Sequence, residues 1–275
     1  MNAVGRIVLA AVLAAVAAGL PARQWPDEPL AVTGSFASAS LGSFSQGLEF
    51  ASSGGRIGPW SAGEVIWSAE PGDPLGTGTG LIVLEHSGGY RSRYLGIEGR
   101  PDLGDRVGAD EWLGYASGST WSFAVTDAKR SRIVDPVALL PSREGIPAPR
   151  WGTVELVGGG ERLPMAPGLS IRPGRWSLVI DPAGFGAENA IPMEVSLYWV
   201  GEGAGSLRFD SLEERDGTVL AEVPESRAYA DVYDDEGRLV FRDILFNAGR
   251  GTLELRLRDE TGRVVRTAWN LSVGE

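Results

Sequence analysis

Short apolar runs cut by clusters of Gly, Pro and Asp dominate this chain, and long helical periodicity is absent from its body. Residues 64–67, 81–84, 90–95 and 121–125 are rich in β-branched, aromatic and other apolar side chains, which suit a pleated, half-buried surface. Between them fall Pro71-Gly-Asp-Pro74, Gly76-Thr-Gly-Thr-Gly80 and Ser87-Gly-Gly89, residue types that favour tight turns through their fixed or permissive backbone angles. With 39 Gly and 17 Pro in 275 residues, the chain reads as a succession of strands and turns. The fold class expected is therefore all-β, with a first β unit ending near Pro141.

Residues 142–150 carry charges and Pro and read as a linker. Beyond it, strands are expected at 153–157, 175–180, 193–200, 219–223, 228–233, 238–241, 252–258 and 264–271. Asp234-Asp-Glu-Gly237 and Asp259-Glu-Thr-Gly262 supply hairpin-type turns, each ending in a Gly able to take a positive φ. Leu253, Leu255 and Leu257 alternate with Glu254, Arg256 and Arg258, so one face is buried and the other wet. Seven or eight strands in roughly 125 residues suggest an immunoglobulin-like β-sandwich over 151–275. A jelly roll or an open barrel fits this pattern almost as well.

The first 20 residues, MNAVGRIVLAAVLAAVAAGL, place one charge at Arg6 before an unbroken small-apolar run. That is the pattern of a secretory signal peptide, assigned to residues 1–22 and followed by a lead-in segment at 23–43. A run of about 14 residues is short of the roughly 20 needed to span a bilayer, so no stable membrane span is expected after cleavage; an uncleaved anchor is the competing reading. The expected location is periplasmic or extracellular. No Cys follows the run, which excludes a lipid-anchored bacterial lipoprotein.

A single histidine, His86, and the absence of Cys exclude much chemistry. Structural zinc needs four Cys or His ligands and catalytic zinc about three, mostly His. Thiol nucleophiles, disulfides and iron–sulfur clusters need the missing side chain. A net charge of −11 argues against nucleic acid as a partner, because phosphate-backbone affinity comes from Lys and Arg. His86 as a lone catalytic base is weighed against a structural role beside its glycine turn, which the absence of a suitably spaced partner favours.

Three ordered blocks carry a family resemblance. Gly80-Leu-Ile-Val-Leu-Glu-His-Ser-Gly-Gly-Tyr-Arg-Ser-Arg-Tyr94 is an apolar strand, a His, a Gly turn and a Tyr-x-x-x-Tyr strand. Leu103-Gly-Asp-Arg-Val107 is followed by Leu113-Gly-Tyr115, and the stretch closes with Val134-Asp-Pro136 and Leu139-Leu140. Together they resemble the lysostaphin-type, or LytM-type, zinc metallopeptidases that cleave bacterial cell-wall peptides, and the resemblance places such a domain at 44–141.

The catalytic positions of that family are altered. Its His-x-Gly-x-Asp motif reads Ser45-Gln-Gly-Leu-Glu49, its Tyr-x-His-Leu reads Tyr94-Leu-Gly-Ile97, and its His-x-His strand reads Thr120-Trp-Ser122. All four aligned histidines are replaced. Thr120 and Ser122 share one strand face while Trp121 and Phe123 share the other. Hydroxyls are poor zinc ligands and poor general bases beside imidazole. The resemblance thus implies a pseudoenzyme with no cofactor and no metal, whose vestigial groove is marked by Ser45, Glu49, Gly96, Thr120 and Ser122. Trp60, Arg91, Arg93, Tyr94 and Trp112 are the candidate ligand-contacting residues, Trp60 and Trp112 as exposed aromatic platforms and Arg91 and Arg93 as a basic strand face. Trp67, Trp121, Trp176 and Trp199 are expected in the core.

The function implied is binding of peptidoglycan or of an envelope protein, including a wall hydrolase that it regulates. A divergent metal-dependent endopeptidase using Glu49, or a purely structural envelope scaffold, are the alternatives.

Overall fold

The computed structural model describes residues 23–26, 32–73, 78–142, 145, 147–182, 192–223 and 225–274. The N-terminal apolar run and residues 74–77, part of the Gly-rich turn before Gly80, lie outside them. No helix among the described residues is long and apolar enough to cross a membrane.

The chain is nearly all β. Among the described residues its largest sheet has eleven strands, all joined antiparallel. Thr120–Asp127 is its axis: one edge pairs with Tyr90–Leu95, and the other pairs first with Leu48–Ala51 and then with Arg132–Val134. Leu81–Glu85, Gly63–Ala69 and Arg106–Val107 continue the sheet beyond Tyr90–Leu95. Strand alternation sends Ile82, Leu84, Tyr94, Trp121, Phe123 and Val125 to the inner face, where all are buried. There Phe50 stacks on Trp121 with ring centres 4.5 Å apart, and Tyr94 lies 5.2 Å from Phe123. Each such side chain contributes about 1.5–3 kcal/mol by leaving water.

The second body is a β-sandwich with the expected immunoglobulin-like arrangement. A four-stranded sheet (Glu161–Pro164, Val154–Gly158, Gly174–Ile180, Leu239–Phe246) faces a five-stranded one (Leu169–Ile171, Val264–Val273, Gly249–Asp259, Pro192–Trp199, Glu202–Arg208). Leu253, Leu255 and Leu257 are buried as their alternation requires, and Trp199 meets Phe246 edge-on at 4.9 Å. The two acidic hairpin turns use one device. In each, the first Asp (Asp234 or Asp259) accepts from backbone N–H groups two and four residues on and from the Nε of the Arg four residues on.

Two expectations need correction. The hydrogen bonding does not respect a division at 142–150: Ser211–Arg215, Thr218–Val223 and Glu225–Ala228 leave the sandwich and extend the large sheet from the free edge of Arg132–Val134. That edge would otherwise present unpaired backbone groups, and the extension buries Leu212 and Ala221 completely or nearly so. Further ties are the Tyr233 hydroxyl donating to Ala37 O at 2.9 Å and the Asp135 N–H donating to Asp210 O at 3.0 Å. The stretch 228–233, expected as a strand, contains the short helix Tyr229–Val232. The Asp231 carboxylate accepts the Ala228 N–H at 3.1 Å, and Tyr229 and Tyr233, one turn apart, stack at 5.2 Å against Phe44. Tertiary packing of the tyrosines overrides their β preference.

Candidate functional site

The outer face of the large sheet is open. Cross-strand register sets Glu49, Ser122, Leu95 and Leu81 in one row, and Ala124, Arg93, Val83 and Trp67 in the next. Glu49, Gly96, Thr120 and Ser122 line a single groove of about 510 Å³ on this face, with Ser117 and Ser119 on its rim. Four of the five positions singled out as a vestigial site therefore converge. Ser45 does not line the groove: its Oγ donates to Gly47 O at 3.0 Å and its backbone bonds Ala37 and Ser38.

Gly96 holds a backbone conformation that favours glycine. Its φ is +81°, and a Cβ there would stand 3.2 Å from Thr120 O and 3.3 Å from the Trp121 Cα. Its N–H donates to Gly80 O and its carbonyl accepts from Ser117 N–H, both at 2.9 Å. A β-carbon is strained in the left-handed region, so a side chain at position 96 costs about 1–2 kcal/mol.

Glu49 is exposed and lies on Gly34, where a Cβ would come within 2.9 Å of its Oε2. The metal-binding capacity of the groove is set by its donors: one carboxylate and several neutral hydroxyls do not fit a catalytic zinc ion, which takes about three strong protein ligands. Among the described residues no three or more His, Cys, Asp or Glu cluster suitably for a metal.

Two arginines continue the open face. Arg91 is matched, its Nε and Nη2 donating to Glu85 Oε1 at 3.0 and 2.9 Å. Arg93 donates to the Gln46 amide oxygen at 3.0 Å and has no carboxylate partner among the described residues. Both line a basin of about 500 Å³ together with Glu214, from the strand Ser211–Arg215, and Asp216, from the turn that follows it.

Trp60 and Tyr94, read as ligand contacts, are corrected: they are 1% and 0% exposed. Both belong to a buried hydrogen-bond chain around His86, which is on the inner face. His86 Nδ1 lies 2.9 Å from Ala62 O, a pure acceptor, so this nitrogen carries the proton. Nε2 then accepts from Ser92 Oγ at 2.7 Å, Ser92 is hydrogen-bonded to the Tyr94 hydroxyl, and that oxygen accepts from the Trp60 backbone N–H at 2.6 Å. Burial lowers the His86 pKa, against a hydrogen bond to Ala62 that raises it, with the Arg23 charge lowering it further; burial likewise raises the Tyr94 pKa. Trp60 packs edge-on to His86 at 5.0 Å, and Arg23 lies over the Trp60 ring at 5.0 Å.

Trp112 is half-buried away from the groove, with Arg56 and Arg100 over its ring at 4.9 and 6.0 Å and Tyr115 5.0 Å away. Trp121 and Trp176 are buried as expected and Trp199 is partly buried, but Trp67 is 47% exposed. A bulge between Val65 and Trp67 shifts the register and turns Trp67 onto the open face. Its β-rich neighbours give no sign of that bulge.

The sequence profile of an uncharacterised family matches residues 148–274. No curated protein matches the chain. Among solved structures, the SpoIIQ–SpoIIIAH pore-forming complex is similar at 19% identity over 44% of this chain and 92% of that chain, with a TM-score of 0.35. A catalytic-domain mutant of the prophage-encoded M23 protein EnpA from Enterococcus faecalis is similar at 19% identity over 36% and 82%, with a TM-score of 0.31. CopC from Methylosinus trichosporium OB3b gives 12% identity over 39% and 84%, with a TM-score of 0.21.

Proposed function

We propose that this chain is an exported, non-catalytic protein of LytM-like ancestry that holds a cell-wall peptide or an envelope protein in the groove above Glu49, Thr120 and Ser122, with Arg93 in the adjoining basin. A wall hydrolase regulated through that contact is the envelope partner best suited to the reading. One observation carries it: Glu49, Gly96, Thr120 and Ser122, the positions the sequence resemblance assigns to catalysis, line one groove whose side chains can hydrogen-bond a peptide but lack an imidazole to bind zinc or move a proton. A carboxylate, hydroxyls and a guanidinium on an open face are a binding chemistry.

The test has two arms. Purified protein incubated with isolated sacculi should be retained, and Glu49→Ala combined with Arg93→Ala should lose most of that retention. Protein purified without chelator should contain less than stoichiometric metal and release no muropeptides. Stoichiometric metal together with digestion would overturn the non-catalytic reading in favour of a divergent endopeptidase. Failure to bind sacculi or any envelope protein would overturn the binding role.

A further inference from the structure

A cleft of about 340 Å³ lies where the first body meets the sandwich, apart from the basin beside Arg93. Glu49 and residues between 33 and 40 line one side, and Pro182, Pro192, Phe209 and the turn at Gly237 line the other. Two contacts hold these walls together. The Tyr233 hydroxyl donates to Ala37 O, and Gly237 packs so closely on Ala39 that a Cβ there would stand 3.1 Å from the Ala39 Cβ. Cavities of this size between packed bodies are common seats of small ligands.

The lining is of two kinds. Phe36, Phe209, Tyr233 and Leu239 are buried, whereas Glu49 and Glu236 are exposed, and no Lys, Arg or His lines the cleft among the described residues. Glu49 is paired in register with Gly34 on one side and with Ser122 on the other. Its carboxylate occupies the space a side chain at 34 would fill, so it leans toward the strand that borders the cleft. It has no ion-pair partner among the described residues. Glu236 is answered only in part: Arg238 lies 2.9 Å from it, 2.8 Å from Asp234 and 3.9 Å from Glu155. One guanidinium thus meets three carboxylates, and negative charge is left over beside an apolar pocket.

We propose that the cleft binds a small organic cation, a primary ammonium on an apolar stem, with the ammonium at Glu49 and the stem among Phe36, Phe209 and Leu239. The stem gains about 25 cal/mol for each Å² of apolar surface it removes from water, and the ammonium gains a charge-assisted hydrogen bond. A metal ion could use the carboxylates but gains nothing from the apolar wall. An anion meets only carboxylates in a chain of net charge −11. A free amine and a lysine-type side chain share the required chemistry. The proposal is independent of the groove reading, although Glu49 borders both depressions.

NMR titration of the full chain with n-pentylamine, 1-pentanol and Nα-acetyl-lysine methylamide tests this. The amine should bind about tenfold more tightly than the alcohol, the gain from one charge-assisted contact, with shifts centred on Gly34, Ser38 and Gly237. Glu49→Gln should remove that preference and leave 1-pentanol binding unchanged. Ser40→Trp fills the cleft from a position outside the groove; it should abolish amine binding and leave retention on sacculi unchanged. Lysine-derivative binding as tight as that of n-pentylamine assigns the cleft to a side-chain amine, and much weaker binding assigns it to a free one; either upholds the proposal. Equal binding of amine and alcohol to the native protein overturns it, as does absence of amine binding at millimolar concentration or undiminished amine binding by Ser40→Trp. Retention on sacculi without amine binding sinks this proposal alone, and amine binding without retention sinks the groove reading alone.

Discussion

Ser92 and Arg93 are neighbours on one strand and meet opposite fates. Ser92 points inward and completes a chain in which His86, Ser92, Tyr94 and the Trp60 N–H pass hydrogen bonds in order. Arg93 points outward with a charge that no carboxylate answers among the described residues. Buried polar groups persist when satisfied, because an unmet one costs about 1–3 kcal/mol. Unmatched charge survives on the open face because water solvates it until something else does. The only histidine of the chain is thus part of the packing, and the chemistry available for binding lies on the other side of the sheet.

The sharpest way to break this contrast is to remove the buried partner. Tyr94→Ala should cost about 3–5 kcal/mol in urea unfolding, since it leaves a cavity and an orphaned Trp60 N–H. If it costs no more than a surface change, the inner chain is not structural.

Asp135 sharpens the contrast at a place where the inner rule fails. It is 1% exposed; Oδ1 accepts from Val137 N–H at 2.9 Å, while Oδ2 has no partner among the described residues. Burial, with the charges of Glu260 and Asp210, pushes its pKa up to about 8 against the hydrogen bond from Val137. The folded state therefore holds a proton that the unfolded chain releases near the ordinary carboxylate value. The Asp135 contribution to stability should fall as pH rises from about 4 to about 8 and then level off. Asp135→Asn keeps the acceptor for Val137 and should remove that slope, leaving the variant more stable than the native protein at pH 8 by on the order of a few kcal/mol.

Gly96→His tests whether the groove can be turned back toward a zinc site. It should destabilise by about 1–2 kcal/mol from the left-handed backbone and gain no stoichiometric zinc by metal analysis. The acid limb is a further test. The unfolded chain protonates its histidine before the folded protein does, so the His86 contribution to stability should decline as pH drops below about 6.5, opposing the Asp135 slope there, and His86→Gln should remove that component. Smallest of all, Glu49→Gln and Arg93→Gln should each shift stability by less than about 0.5 kcal/mol while changing peptide binding.

Much of the strand pattern was legible. Leu81–Glu85, Tyr90–Leu95 and the alternating leucines of Gly249–Asp259 follow from side-chain type and turn placement alone. Trp60 and Trp67 were misjudged in opposite directions: Trp60 sits in a Gly-Pro turn yet is 1% exposed, while Trp67 sits in an apolar strand yet is 47% exposed. A turn residue can be folded under by a long-range bond such as Trp60 N–H to Tyr94 Oη, and a bulge can reverse a face; neither leaves a local periodicity.

The residues by themselves determined that strands and tight turns would prevail, and that one imidazole and no thiol could not assemble an ordinary zinc site. Only the tertiary structure decided that Glu49, Gly96, Thr120 and Ser122 would meet, that Ser211–Arg215, Thr218–Val223 and Glu225–Ala228 would extend the first sheet, and that Arg91 would be paired while Arg93 has no carboxylate partner among the described residues. Local patterning records which face of a strand avoids water. Which strand lies beside it, and which charge is left over, depends on pairings between segments far apart in the chain.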